Sequence, residues 1–182
     1  MHILHKILVY KEEGFDFLVS EKERISEARS IATSETEDYY GSVYDWRETD
    51  TAGRWTEEYP KQAYFAKDDI DWFVKEINEA ITSQKFELNS YLTELKEKVG
   101  TDIEKMVSVF MGDTQLYEAA NVNYSFLPFA LWKIARITYG EYNCDSYIFN
   151  TNGHTARIYP EDIEHIKQEP EKWALVMFDY HY

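Results

Sequence analysis

The chain has 182 residues, with 34 acidic side chains against 19 Lys and Arg, for a formal charge of −15. With 44% apolar residues, and aromatics at 16% of the chain, it carries enough buriable surface to exclude wholesale disorder, and its length suits one domain. The charge argues against nucleic-acid and anionic-membrane binding, which draw on Lys and Arg, and the lone Cys144 excludes an internal disulfide and a multi-cysteine metal site.

His2 to Tyr10 carries the apolar run Ile3, Leu4, Ile7, Leu8 and Val9, which predicts a strand inside a sheet. Ser20 and Glu23 form a capping box, followed by Ile25, Ala28 and Ala32 at helical spacing, so a first helix runs to about Ser34. From Lys67 to Thr82, Ile70, Phe73, Val74, Ile77 and Ile81 line one helical face. Leu88, Tyr91, Leu92, Leu95 and Val99 repeat the spacing up to Gly100, which predicts a helical hairpin or one long kinked helix. A capping box at Thr101 and Glu104 precedes Ile103, Met106, Val107 and Phe110, a further helix closed by Gly112. Phe126 to Thr138 is apolar nearly all round, broken mainly by Lys133 and Arg136, and is expected to be central, buried and ended by Gly140.

The last third changes character. Tyr147, Ile148 and Phe149 approach Asn152-Gly153 and His154 to Tyr159 leave it, a hairpin signal that predicts two antiparallel strands. Pro160 opens a short helix carrying Ile163 and Ile166, Pro170 stops it, and Trp173 to Tyr180 forms a final apolar strand. The expected fold is α+β: a mainly antiparallel sheet of the N-terminal strand, the hairpin and the last strand, packed on a helical region of about 67–139 inserted within a single domain, 1–182. No stretch approaches the roughly 20 apolar residues that cross a bilayer, and Met1 to Lys6 lacks the apolar core of a secretory leader, so a soluble, cytoplasmic protein is expected.

Charge and aromatics concentrate between Ser34 and Pro60. Glu35, Glu37, Asp38, Asp45, Glu48, Asp50, Glu57 and Glu58 face only Arg47 and Arg54, with Tyr39, Tyr40, Tyr44, Trp46, Trp55 and Tyr59 interleaved. Carboxylates that steer encounter and rings that anchor it describe an interaction surface for a basic partner; a long loop pinned to the core by its rings fits the same pattern.

Signatures of catalysis are sparse. His2, His5, His154, His165 and His181 are scattered with no HExxH spacing, so no metal site is expected, and no phosphate-cradling glycine loop or GxSxG elbow implies a cofactor or nucleophile. Glu94-Leu95-Lys96 imitates a nuclease E-x-K element but sits where a helix shows its solvated face. Asp179 and His181 share a face of a regular strand, and with His154 on a neighbouring strand they define a candidate acid–base trio for a small hydrolase or phosphodiesterase. Lys133 and Arg136, three apart on an apolar helix, are expected to pair with buried carboxylates, and Cys144 to be a packed side chain.

Tyr44-Asp45-Trp46, Ala52-Gly53-Arg54-Trp55 and the terminal Trp173 to His181 resemble a phage and prophage family with a Y-D-W segment, a G-G-R-W box and an apolar C-terminal strand ending in D-C-H. Ala52 stands for the first box glycine and Tyr180 for the cysteine. The box glycine, Gly53, allows a tight turn, and Arg54 and Trp55 are placed to anchor the acidic loop by stacking or by pairing with Asp45 or Glu48. In size, acidity and aromatic-rich acidic loops the chain also resembles the type II-A anti-CRISPR proteins of streptococcal mobile elements. That resemblance implies a partner, Cas9 or its guide RNA complex, whose target cleavage is prevented by blocking a basic surface or by loss or truncation of the guide. The contacts it implies are Glu35, Glu37, Asp38, Asp45, Glu48, Asp50, Glu57 and Glu58, with Tyr44 and Trp46 as anchors. An immunity or antitoxin-like role toward another basic partner fits the charge equally.

Overall fold

The computed structural model describes residues 1–39, 41, 43–48, 50–102, 104 and 126–181. Its elements are β1 (His2–Tyr10), α1 (Glu21–Thr36), β2 (Trp46–Glu48), β3 (Ala63–Phe65), α2 (Ile70–Val99), α3 (Phe126–Tyr139), β4 (Ile148–Asn150), α4 (Pro160–Gln168) and β5 (Trp173–His181). The architecture is α+β, around a mixed five-stranded sheet in the order β2-β5-β1-β4 with β3 also on β5. β1 and β5 pair antiparallel along their whole length, from His2 opposite His181 to Tyr10 opposite Trp173. β2 and β3 follow one another on the far edge of β5, both antiparallel, and β4 runs parallel to β1.

Both faces of the central strands are covered, which is why β1 and β5 read as near-continuous apolar runs. On one face Ile7, Val9, Val176 and Phe178 meet Ala28 and Ala32 of α1, with Phe15, Phe65 and Tyr142. The alanines let the helix axis approach the sheet closely. On the other face Leu8, Leu175 and Met177 meet Phe73, Ile77 and Ala80 of α2 and Ile166 of α4. A basic residue inside the buried run, Lys6, is tolerated because its ammonium lies 2.7 Å from the Glu76 carboxylate, which also accepts the Tyr59 hydroxyl at 2.8 Å.

The caps follow the sequence. Ser20 accepts the Glu23 N–H while Glu23 reaches back to the Ser20 N–H, the reciprocal box at the start of α1. Asp69 caps α2, accepting from the Trp72 N–H at 3.0 Å, and α2 continues without interruption to Gly100. Of the two expected arrangements, a helical hairpin or one long helix, the chain adopts the long helix, of 30 residues. Gly140, at φ +83°, ends α3. The helix expected after Thr101 and Glu104 lies outside the described residues.

Three expectations are corrected. The Asn152-Gly153 turn joins no pair of strands: 151–154 form a wider loop with positive φ at His154, closed by one bridge between Asn150 and Thr155. The chain then turns aside because Thr155 Oγ1 and the Ala156 N–H both donate to the Gly140 carbonyl, at 2.9 and 2.8 Å. β4 draws its ladder from β1 instead. α3 is not central; it lies on α2, and Phe129 and Trp132 remain 48% exposed while Tyr139 is 83% exposed. Finally, 45–65 is not all loop, since it supplies the short edge strands β2 and β3.

Candidate functional site

The three segments that carry the phage-family resemblance, two of them neighbours in sequence and the third more than 100 residues on, meet at the end of β5. β2 places Trp46 opposite His181 and Glu48 opposite Asp179, and the Asp45 N–H donates to the His181 carbonyl at 2.9 Å. The box then folds into a single 3-10 turn, Gly53–Trp55, over Asp179. Here the box glycine has a physical reason: Gly53 sits at φ +55°, and a Cβ on it would lie 2.2 Å from Asp179 Oδ2 and 2.4 Å from Asp179 Cβ. The Arg54 contribution is its backbone N–H, which donates to Asp179 Oδ2 at 3.1 Å; its guanidinium is exposed and pairs with no carboxylate among the described residues. Trp55 packs its ring against the α2 side of the core. The anchor is a main-chain turn and a ring, not the Arg54 side-chain pairing expected.

Asp179 is 1% exposed and its second oxygen holds His2: Oδ1 lies 2.9 Å from His2 Nδ1. Directly across the strand pair, His181 Nδ1 lies 2.8 Å from Asp45 Oδ1, and this bond holds the exposed Asp45 carboxyl below the usual carboxylate range. A carboxylate oxygen accepts from the ring nitrogen beside it, so both Nδ1 atoms carry a hydrogen, and the neutral form of either ring has its lone pair on Nε2. Neither Nε2 has a hydrogen-bond partner among the described residues. The two rings contact edge to face with centroids 4.8 Å apart, and the Trp46 ring lies 6.0 Å from that of His2.

Asp179 and His181 therefore share a face, as strand periodicity predicts, but His154 does not join them. It lies against Phe149 and 3.3 Å from Glu35 of α1, on the opposite face of the sheet. The acid–base trio of His154, Asp179 and His181 is not assembled. The second imidazole is His2, which only the β1–β5 register identifies. The remaining histidine near the sheet, His5, is fully buried with Nδ1 3.0 Å from the Tyr142 hydroxyl, and burial lowers its pKa to about 3.

Around this cluster the acidic stretch divides. Glu37, Asp38, Asp45, Asp50, Glu57 and Glu58 are exposed, and Trp46 stands among them 47% exposed. Tyr44 is not an anchor for a partner: it is 3% exposed, stacked on Tyr180 and covered by the Arg47 guanidinium 4.9 Å from its ring. Glu48 is turned inward, accepting the N–H groups of Asp50 and Thr51, and Glu35 is half-buried beside His154. Tyr40 lies outside the described residues. The segment thus has two sides, with Tyr44, Trp55 and Tyr59 facing in and Glu37, Asp38, Asp45, Asp50, Glu57 and Glu58 exposed.

The other expected features have structural roles. Lys133 pairs with Asp145 in a buried contact, and Arg136 pairs with Glu141 at 2.9 Å. Cys144 is half-buried 3.7 Å from the Lys133 ammonium, and burial raises its thiol pKa. Among the described residues no group of three or more His, Cys, Asp or Glu is arranged to hold a metal ion, and no helix is long and apolar enough to cross a membrane. No protein-family model, no curated protein and no solved structure matches the chain.

Proposed function

We propose that this chain is a binding protein that occupies a basic surface of a nucleic-acid-handling partner, and that the partner is Cas9 or its guide RNA complex. The observation that carries the first part is that Glu37, Asp38, Asp45, Asp50, Glu57 and Glu58 of one segment are exposed together with the Trp46 ring, Glu37 and Asp50 being held by Arg47 and Arg29, while Tyr44, Trp55 and Tyr59 of the same segment are locked into the core. Charge on a fixed scaffold steers encounter, a ring that is already positioned loses little entropy on docking, and the net charge of −15 adds long-range attraction to cationic clefts. The second part rests on the resemblance to the type II-A anti-CRISPR proteins. Cas9 holds its guide–target duplex in positively charged channels and reads a short flanking motif with arginines, so an acidic partner competes for surfaces built for phosphates. The consequence is lost cleavage, through blocked DNA entry, blocked guide loading, or loss or truncation of the guide.

The test mixes the protein with Cas9, with and without guide RNA, and follows co-elution, target cleavage and guide length together. Association with loss of cleavage is expected, weakening as salt is raised. Converting the six exposed carboxylates to amides should abolish association while leaving the fold intact, and Trp46→Ala should weaken it at least tenfold. No association and unchanged cleavage with Cas9 from several streptococcal hosts would overturn the Cas9 assignment; binding to a basic toxin instead would replace it with an immunity role.

A further inference from the structure

We propose that His2 and His181 form a two-imidazole site for a borderline divalent transition-metal ion of the zinc type, with Asp179 and Asp45 as the carboxylates behind them. Metal-bound histidines characteristically donate their distal ring N–H to a carboxylate, which fixes the tautomer and raises the basicity of the ligating nitrogen. Both histidines here have that arrangement, at 2.9 and 2.8 Å, and they come from directly opposed positions of one antiparallel ladder. One of the two carboxylates, Asp179, is a buried charge fixed by the Arg54 N–H and the Gly53 turn, so its imidazole is positioned by the scaffold and not by a mobile surface chain.

The ring spacing suits the role. A zinc-type ion about 2.0–2.1 Å from each Nε2 lies about 3.2 Å from each ring centre. Centres 4.8 Å apart lie within the about 6.4 Å that one ion bound through both rings can span. The electrostatics favour a cation: Asp45 and Asp179 stand behind the rings, two carboxylates against the one N-terminal ammonium that acts on Asp45, and disfavour a phosphoryl or carboxylate ligand. Two protein ligands leave coordination positions open for water or for a donor from a bound partner. The ligands come from opposite ends of the chain, which is why no spacing pattern reveals them.

Zinc titrated calorimetrically into the untagged protein should bind with one equivalent per chain, and cobalt should give the visible absorption of a nitrogen-ligated ion. His2→Gln and His181→Gln should each weaken binding tenfold or more, while His154→Gln leaves it unchanged. Asp45→Ala, which removes only the carboxylate behind His181, should cost about tenfold. If a histidine variant fails to fold, paramagnetic broadening of the His2 and His181 ring signals by cobalt in the unaltered protein gives the same answer. No saturable binding, or binding that survives both histidine substitutions, would overturn the assignment.

Discussion

Two ion pairs on the same face of β1 differ in a way that separates scaffold from site. Lys6 and Glu76 are both nearly sealed, at 8% and 6% side-chain exposure, and the Tyr59 hydroxyl donates to the same carboxylate oxygen as the Lys6 ammonium. Four residues earlier His2 meets Asp179 with the carboxylate sealed at 1% but the imidazole open at 21%, its Nε2 uncommitted. In the first pair every polar atom is directed inward and the product is a fixed distance between β1 and α2. In the second the buried partner holds the exposed one toward solvent. Burial on one side only is what leaves a group available for chemistry.

The comparison can be broken most forcefully at Lys6. Lys6→Met strands the Glu76 charge in the core and should cost about 3–5 kcal/mol in urea unfolding, with most of the loss recovered in a Lys6→Met/Glu76→Leu double variant. A single-variant cost below about 1 kcal/mol would mean that the pair is not sealed. Gly53→Ala should cost about 3 kcal/mol, since it adds a left-handed backbone penalty to a direct clash with Asp179.

His5 sharpens the contrast through pH. Its folded pKa of about 3 lies below the ordinary unfolded value of 6.5, so between those limits the unfolded chain binds a proton that the folded chain does not. Its contribution is complete above pH 6.5 and is lost as pH falls, amounting to about 2 kcal/mol by pH 5. In His5→Phe the stability-versus-pH curve should flatten across that window, even though the variant starts lower at pH 7 because the Tyr142 hydroxyl loses its bond to His5. His2→Gln should have the smallest effect, about 1 kcal/mol, because Asp179 keeps the Arg54 N–H and the lost ring is partly solvated. Loss as large as that of Lys6→Met would place His2 with the scaffold.

What the sequence discloses follows the range of the forces involved. The Ser20–Glu23 cap, the Gly140 stop, Pro160 at the start of α4 and the apolar runs of β1 and β5 are local or near-local signals, and each appears where expected. β2 and β3, at three residues each, have no period to detect and exist because β5 offers them a ladder. The loop after Asn150 misleads because Asn152-Gly153 favours a hairpin locally, while Thr155 and Ala156 are both bonded to the Gly140 carbonyl and the pairing stops at the Asn150–Thr155 bridge. In α3 an all-round apolar pattern does not distinguish a buried helix from one that leaves rings such as Phe129 and Trp132 half-exposed. At the site, Asp179 and His181 on one face are legible from a two-residue period. The pairing of His2 with Asp179 is not, because it depends on a register set between opposite ends of the chain.

That register also imposes an order of events during synthesis. Three of the four ladders need β5, the last of the described strands to be made. At translation rates of roughly 5–20 residues per second, the ~160 residues between Tyr10 and Trp173 take about 10–30 s to emerge. Throughout that interval β1, an apolar strand, lacks its principal neighbour, and β2 and β3 have no template at all. The acidic turn, the glycine cradle and both imidazole–carboxylate pairs therefore come into being together, only once Trp173 to His181 has emerged, so a ribosome-stalled fragment ending before Trp173 should carry none of them.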